Sequence, residues 1–286
     1  MPGKLPYTQF PEPSIDFHFS LAERRRGMRP LIIAHRGGAA LAPENTIEGY
    51  RYVKSHWAPD VYELDVRISA DGHPVVIHDK RVDRTTNGIG KVSELPLSHM
   101  KILDAGYWFT NDGGFSYPWR SKGVRIPALT EVLDAFPHDH FNIEVKKSVP
   151  GIELQLACIV GERDLTEQVL VLSRDTDMLA RLSHLDPRIQ TASVFSEKTI
   201  IARVANPALS PIVRSLVRRG RRRGIQLEVW TVNDPSTMAL LLESGVDGLV
   251  TDYPDVALEV FRKLGLRAPK PSRHGQKIPK PVEAYA

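Results

Sequence analysis

Residues that can perform chemistry occur in four short stretches of this 286-residue chain, and each stretch follows or ends an apolar run rich in Val, Ile and Leu. The stretches are His35-Arg36-Gly37, Glu63-Leu64-Asp65, His78-Asp79 and Glu144-Val145-Lys146. Imidazoles transfer protons near neutral pH, carboxylates bind cations, and basic side chains bind anionic oxygens. Together they predict a metal-assisted site that acts on an anionic ester.

The carboxylates among them are candidate metal ligands. Glu63 and Asp65 are two residues apart on one predicted strand, so their side chains project from the same face. They stand between apolar residues, where an unpaired charge is costly to bury, and a bound cation would compensate that cost. Glu144 offers a third oxygen from another strand. Three carboxylates without a cysteine favour one hard divalent cation, Mg²⁺ or Ca²⁺.

Four other residues are candidates for binding the substrate. Arg36 could bind a phosphate oxygen bidentately, whereas Lys146, on the same face as Glu144, could meet one as a point charge. Glu44 precedes a predicted helix and could point at the metal or at a substrate hydroxyl. Trp230 ends a predicted strand, where it could pack against substrate carbon atoms or belong to the core at the rim.

Short β-rich runs alternate with helical patterns along most of the chain, which is typical of parallel strands covered by helices. We predict strands at residues 31–35, 61–67, 74–78, 141–146, 168–173, 190–195, 201–205, 226–232 and 248–251. We predict helices at residues 46–55, 129–135, 151–163, 176–185, 211–223, 235–243 and 256–264.

One connection between predicted strands is too short for a parallel crossover, which needs about 10–12 residues. Only residues 68–73 separate the second and third strands, and Asp71-Gly72 favours a tight turn. The third strand should therefore fold back as a hairpin and bring His78 beside Asp65 or its neighbour. The other eight strands match an irregular (β/α)8 TIM barrel, whose active site lies at the carboxyl ends of its strands.

The barrel is expected to span residues 31–265. After its third strand, the segment of about residues 80–127 is too long for an ordinary loop and predicts a small insertion. The aromatic rings of this insertion form either part of the site or a core of their own. Residues 1–30 are predicted to be an N-terminal arm. Residues 266–286 combine prolines with basic residues and predict a disordered tail.

Composition argues against several other classes of protein. The chain has 42% hydrophobic and 25% charged residues, and no apolar run approaches the 18 or so residues of a membrane-spanning helix. Since the N-terminus lacks a signal-peptide pattern, we expect a cytoplasmic protein, with Cys158 in the core. The net charge is +4. The clusters of arginine are more typical of solvated helix faces than of a nucleic-acid site. A weak attraction of the protein to anionic lipid headgroups stays open.

Taken in order, the motifs resemble those of the glycerophosphodiester phosphodiesterase family over roughly residues 31–265. The matching pieces are His-Arg-Gly at 35–37, Pro-Glu-Asn-Thr at 43–46, Glu-Leu-Asp at 63–65, Asp-Gly and Pro-Val-Val-Ile-His-Asp within 71–79, Arg-Thr-Thr-Asn-Gly at 84–88, Ile-Pro at 126–127, Glu-Val-Lys at 144–146, Trp-Thr-Val-Asn at 230–233 and Thr-Asp-Tyr-Pro at 251–254. Any one piece is a weak signal, whereas this many in one order is a strong one.

The resemblance implies a divalent cation held by Glu63, Asp65 and Glu144, with His35 and His78 as the acid–base pair. It implies hydrolysis of small glycerophosphodiesters to sn-glycerol 3-phosphate and an alcohol. Two alternatives stay open. One is a lysophospholipase D or sphingomyelinase D-like activity, which a longer apolar groove beside the insertion would favour, and the other is a non-catalytic barrel that binds anionic headgroups. Asn233, Asp252 and Pro254 are predicted to shape loops, without a catalytic role.

Overall fold

A computed structural model describes residues 14–19, 29–195, 210–222 and 225–266. The strands of the described part are β1 (Ser14–Phe19), β2 (Leu31–Ala34), β3 (Val61–Ile68), β4 (Pro74–Val76), β5 (Phe141–Val145), β6 (Val169–Ser173), β7 (Gln190–Phe195), β8 (Ile225–Trp230) and β9 (Gly248–Thr251). The helices are α1 (Ile47–His56), α2 (Leu97–Met100), α3 (Leu129–Ala135), α4 (Ile152–Gly161), α5 (Thr176–Leu185), α6 (Ser210–Arg222), α7 (Pro235–Ser244) and α8 (Pro254–Lys263).

The strands form one sheet that curls into a ring. Its order is β2-β9-β8-β1-β7-β6-β5-β3-β4, and β2 also pairs with β3 in parallel, through Ile33 and Val61. Strand β4 therefore lies outside the ring, on the edge of β3. Helices follow most of the strands and pack against the sheet. The prediction of an α/β barrel is confirmed at this level.

One strand of the ring differs from the predicted set. Strand β1 lies between β7 and β8 and runs antiparallel to both, with Ile15 opposite Phe195 on one side and Val229 on the other. Of the eight strands predicted to run parallel, the seven that the structure describes do so. The remaining position in the ring is taken by β1, a part of the predicted arm, which runs antiparallel to its neighbours. Its Ser-Ile-Asp-Phe-His-Phe sequence alternates polar and apolar residues, a strand signal that the surrounding prolines obscured. The predicted strand 201–205 and the tail beyond residue 266 lie outside the described residues.

The hairpin prediction is confirmed. Strand β4 pairs antiparallel with β3, with Val66 opposite Val76, and the amide of Ile77 donates to the carbonyl of Asp65 at 2.9 Å. Gly72 in the turn has φ +84°, a conformation that glycine adopts without strain. This register brings His78 to the same edge of the sheet as the two carboxylates of β3.

The segment between β4 and α3 has an aliphatic core of its own. Its buried side chains pack with those of β4 and the residues next to it, and they include Val82, Val92, Met100, Leu103, Val124 and Ile126. Three of its aromatic rings, Tyr107, Trp108 and Tyr117, lie instead around the guanidinium of Arg120. The predicted limits of the insertion remain a prediction.

Helix α4 corrects the expectation for the single cysteine. It buries Ile152, Leu156 and Val160, which lie four residues apart on one face, and Cys158 on the opposite side is exposed. The helix is apolar on nearly all sides, so its sequence does not reveal which face is buried. Within the described ranges, none of the helices combines the length and apolar character needed to cross a bilayer.

Candidate functional site

The predicted metal ligands lie side by side in the sheet. Asp65 on β3 is in register with Glu144 on the parallel strand β5, and Glu63 precedes Asp65 on the same face. The three side chains are 0–3% exposed, and one carboxylate oxygen from each lies within 4.8 Å of the others. The structure therefore brings together the three oxygen ligands that the sequence placed on two separate strands.

Glu63 carries the clearest sign that a cation fits here. Its Oε1 atom is buried and has no hydrogen-bond partner among the described residues. Burial and the neighbouring Asp65 carboxylate raise the pKa of Glu63 to about 8. A buried carboxylate oxygen that lacks a donor and is repelled by another carboxylate suits a divalent cation, because the ion would supply the missing charge.

Asp65 is held charged by contacts on both of its oxygens. Lys146 Nζ lies 2.8 Å from Asp65 Oδ1 and also donates to Glu144 at 2.6 Å. Asn45 donates its side-chain amide to Asp65 Oδ2 at 2.8 Å. Although burial alone would raise the pKa of Asp65, Lys146 and Arg36 hold it well below its usual range. Lys146 thus lies against the predicted metal ligands, at a place where it could also reach a bound anion.

The His-Arg-Gly motif forms a tight 3₁₀ turn after β2. Arg36 has φ +49°, and its amide donates to Glu63 Oε2 at 2.8 Å. Its guanidinium donates to Glu44 at 3.1 Å and lies 3.4 Å from Asp65. Gly37 has φ +85°, and a Cβ atom there would come within 2.5 Å of the Tyr50 ring. Only glycine fits at this position, which explains why it follows the arginine.

His35 is buried and is held by a carboxylate that the sequence analysis did not assign to the site. Its Nδ1 lies 2.6 Å from Asp252 Oδ1, while its Nε2 lies 4.0 Å from Glu63 Oε2. Burial alone would lower the pKa of His35, but the hydrogen bond with Asp252 and the charge of Glu63 raise it above its ordinary value. Asn233 in turn donates to Asp252 Oδ2 at 2.7 Å.

Asp252 was predicted to shape a loop without a catalytic role, and the sequence analysis did not anticipate the contact of its carboxylate with His35. The contact follows from the pairing of β2 with β9, which puts Ala34 beside Thr251 and so sets the next two residues at the same edge. The position of Asp252 directly after a strand was visible in the sequence. The adjacency of those two strands, 217 residues apart at this contact, was not.

His78 is paired in a similar way but is more open to solvent. Its Nδ1 lies 2.7 Å from Asp79 Oδ1, and its side chain is 31% exposed. Arg84 donates to Asp79 at 2.6 Å and to both oxygens of Glu44 at 2.7 Å. Because Glu44 also accepts from Arg36, a chain of ion pairs connects the turn after β2 with His78. Arg84 belonged to a recognised motif but was not predicted as a site residue.

Trp230 lies at the edge of this group. It ends β8, and Lys146 Nζ is 5.8 Å from the centre of its ring. The ring also packs against buried residues of the barrel, including Ile33, Val61 and Leu172. Both positions considered for Trp230 from the sequence are thus compatible with its surroundings, and its role in binding remains a prediction.

Comparison with known proteins gives a consistent result. The model of the glycerophosphoryl diester phosphodiesterase family matches residues 35–256. A glycerophosphodiester phosphodiesterase of Bacillus subtilis is 34% identical over 254 residues, which are 80% of this chain and 85% of the relative. Another, from Caldanaerobacter subterraneus subsp. tengcongensis, is 34% identical over 252 residues, which are 83% of this chain and 100% of the relative.

Solved structures with the same fold agree with these matches. A glycerophosphodiester phosphodiesterase from Agrobacterium tumefaciens superposes with a TM-score of 0.64 and 26% identity, covering 80% of this chain and 99% of that one. A phosphodiesterase from Oleispira antarctica, in complex with the product sn-glycerol-3-phosphate, has a TM-score of 0.63 and 25% identity, covering 82% of this chain and 97% of that one.

Proposed function

The chain belongs to the glycerophosphoryl diester phosphodiesterase family, and we propose that its site hydrolyses glycerophosphodiesters to sn-glycerol 3-phosphate and an alcohol. It is therefore a phosphoric diester hydrolase. The observation that carries the proposal is the pairing of two histidines, each with a carboxylate on Nδ1, around one cluster of buried carboxylates. A barrel that only bound headgroups would not require two such pairs.

The residues Glu63, Asp65 and Glu144 would hold one divalent cation, Mg²⁺ or Ca²⁺, because both ions prefer oxygen ligands. When bound, such a cation supplies positive charge that stabilises the phosphoryl oxygens as negative charge develops on them. The unpartnered Glu63 Oε1 atom supports this assignment. Which of the two ions is used is left to the metal titration described below.

Arg36 and Lys146 supply the charge that the chain itself brings to the phosphate. A phosphodiester carries one negative charge, and the five-coordinate transition state carries more. Cationic donors fixed beside the phosphate therefore bind the transition state more strongly than the ground state. Both side chains contact Asp65, one of the three clustered carboxylates, and these contacts fix their charged ends before substrate arrives.

The two histidines transfer the protons. A carboxylate on Nδ1 favours a hydrogen there, so in His35 and His78 the Nε2 atom is left to exchange a proton with the substrate. One Nε2 accepts the proton of the attacking hydroxyl as its oxygen bonds to phosphorus. The other donates a proton to the alkoxide oxygen as the bond from phosphorus to that oxygen breaks. Direct attack by water requires these two transfers once. Attack by the glycerol 2-hydroxyl requires them twice, and the roles of the histidines are reversed when water opens the cyclic phosphate and the 2-oxygen takes a proton.

The lipid-cleaving alternative depended on a long apolar groove beside the insertion. Tyr107, Trp108 and Tyr117 surround Arg120, whose guanidinium carbon lies 3.9–5.3 Å from their ring centres. A cation among these rings is unfavourable for an acyl chain. The observed surroundings therefore favour small, deacylated substrates.

The experiment that tests the proposal is an assay of the phosphomonoester products, which are sn-glycerol 3-phosphate from a glycerophosphodiester and lysophosphatidic acid from lysophosphatidylcholine. Metal-free protein is titrated with Mg²⁺ and, separately, with Ca²⁺, and then offered glycerophosphocholine, glycerophosphoglycerol and lysophosphatidylcholine. We expect metal-dependent release from the glycerophosphodiesters. Release from neither diester with either ion, or cleavage of lysophosphatidylcholine alone, would contradict the proposed function.

A further inference from the structure

A cavity adjoins the site on the side of the insertion. Its space, including the solvent at its open mouth, is about 510 Å³, and its lining includes Glu44, Arg84, Trp108, Phe109 and Thr110. A second, much smaller cavity borders His78 and shares part of its wall with the first, including Glu44 and Ala105. The larger cavity is therefore connected to one of the proposed acid–base residues through the wall that it shares with the smaller one.

The charges around this cavity cancel. Glu44 and Arg84 are the two charged residues of its described lining, and Arg84 donates to both oxygens of Glu44 at 2.7 Å. The Trp108 ring already has a cation beside it, because the Arg120 guanidinium lies 5.3 Å from the ring centre. Aromatic faces bind quaternary ammonium groups when no other cation competes. This cavity offers a choline-like cation no net negative charge and no free cage of rings.

The hydrogen-bonding capacity that remains suits a hydroxyl group. Glu44 accepts three hydrogen bonds from arginines in the described chain, whereas a carboxylate has about four acceptor sites. Arg84 makes four hydrogen bonds to carboxylates and has five N–H donors. One acceptor and one donor are thus left on neighbouring groups. A hydroxyl can use both at once, and a trimethylammonium group can use neither.

Trp108 adds an apolar surface to the lining of the same cavity. Its side chain is 47% exposed and is positioned by contacts with Tyr107 and Tyr117, at ring-centre distances of 4.8 and 6.1 Å. The C–H groups of a polyol can pack on such a ring while its hydroxyls bind the ion pair. An aromatic surface that its neighbours already hold loses little side-chain entropy when a ligand binds.

We propose that the cavity between the Glu44–Arg84 ion pair and Trp108 binds the alcohol half of the substrate and selects neutral polyols over quaternary ammonium alcohols. This inference rests on the proposed function, because it assigns the second half of the same diester. It makes glycerophosphoglycerol and glycerophosphoinositol better substrates than glycerophosphocholine. Trp108 is then a residue that determines specificity, and it takes no part in proton transfer.

The test compares kcat/KM for these three diesters in the wild type and in variants of the insertion. We expect kcat/KM to be at least about tenfold higher for the two polyol diesters than for glycerophosphocholine. Trp108→Ala should bring this ratio to within about threefold of one, whereas Trp108→Phe should retain most of it. Phe115→Ala is the matched control, because Phe115 is an aromatic residue of the same segment that is 93% exposed and lies outside the cavity lining.

A second variant addresses the cation among the rings. Arg120→Met removes the guanidinium while keeping a long side chain, and it should raise kcat/KM for glycerophosphocholine relative to the polyol diesters. Equal use of all three diesters by the wild type, or a Trp108→Ala effect of the same size on each, would overturn the assignment of the cavity and leave the proposed function intact. Cleavage of none of the three with either metal ion would overturn the proposed function and this inference together.

Discussion

Replacement of Asp252 by asparagine tests the arrangement of His35. The carboxylate of Asp252 lies 2.6 Å from His35 Nδ1, and in the proposed mechanism it keeps the Nδ1 hydrogen in place so that Nε2 can exchange a proton. An asparagine side chain can instead donate its amide to Nδ1. That would favour the tautomer with hydrogen on Nε2, which cannot act as a base.

The size of the effect follows from the contact that is lost. A hydrogen bond to a charged group contributes about 1.5–3 kcal/mol. His35 is 5% exposed at its side chain and Asp252 is 22% exposed, so solvent screens this pair only weakly. If that stabilisation acts on the imidazolium formed during turnover, its loss lowers kcat by about 10- to 150-fold, at 1.36 kcal/mol for each factor of ten. Asp252→Asn should be worse than Asp252→Ala, which leaves the tautomer of His35 free to adjust.

The pH dependence gives a readout that a merely structural role would not change. The hydrogen bond with Asp252 raises the pKa of His35, so its removal must lower that pKa, and the limb of the kcat profile that reports His35 should move to lower pH. Steady-state kinetics between about pH 5 and 9 measure the shift, with circular dichroism to check folding. A folded Asp252→Asn variant with kcat within threefold of wild type and an unmoved profile would refute this reasoning.

Three further predictions concern neighbouring groups. His35→Ala and His78→Ala should each lower kcat by at least about 10²-fold in a folded protein, and undiminished turnover in either would remove that residue from the acid–base pair. The hydrogen bond with His78 and the contacts with Arg84 hold the pKa of Asp79 below its usual range, so its contribution to stability is present at neutral pH and is lost as the pH falls through the folded-state pKa. Asp79→Asn should accordingly lower Tm by a similar amount at pH 7 and pH 5 in thermal melts and by less only below the ordinary aspartate pKa of about 4, and a difference that already shrinks between pH 7 and pH 5 would contradict this linkage. Gly37→Ala should lower both Tm and kcat, because its Cβ would collide with the Tyr50 ring at φ +85°, and an unchanged melt would show that the turn can relax.

Much of the site was predictable because its geometry is local. The short link between residues 67 and 74 allows only a hairpin, and alternation along β3 puts Glu63 and Asp65 on one face, so three of the key groups converge without any long-range assumption. The carboxyl ends of parallel strands share one edge of a barrel, which adds His35 and Glu144. These inferences use only strand periodicity and loop length.

The parts that were not predicted depend on which distant segments become neighbours. The partner of His35 is set by the pairing of β2 with β9, and no local pattern in either strand specifies it. The position of β1 between β7 and β8 could not be predicted either, because an alternation of polar and apolar residues over six positions fits several places in a sheet. Cys158 lies in a helix that is apolar on nearly all sides, so the exposed face cannot be read from its periodicity.

The balance of charge across the site leads to a final prediction about cation binding. Among the described residues the site contains four basic side chains, Arg36, Arg67, Arg84 and Lys146, and six carboxylates, Glu44, Glu63, Asp65, Asp79, Glu144 and Asp252. This excess of acid explains why the least compensated carboxylate holds a proton more tightly than usual, with the pKa of Glu63 at about 8. In the cation-free protein Glu63 therefore keeps its proton to a higher pH than an ordinary glutamate does. A divalent cation must displace that proton, because only the carboxylate form is a good ligand.

Binding of Mg²⁺ or Ca²⁺ at pH 7 should thus release up to about one proton per site, and this number should fall toward zero above pH 9. Calorimetric titration in buffers with different ionisation enthalpies measures it directly. Glu63→Gln should abolish both the proton release and the increase of Tm that the cation produces. The cation-free variant should melt at or above the wild-type temperature at neutral pH, because a neutral glutamine removes the cost of the raised pKa, which the wild type meets on folding by taking up a proton or by burying a repelled charge. Cation binding to the wild type without proton release between pH 6 and 8 would show that Glu63 is already ionised, and the electrostatic argument for the cation at this cluster would then fail.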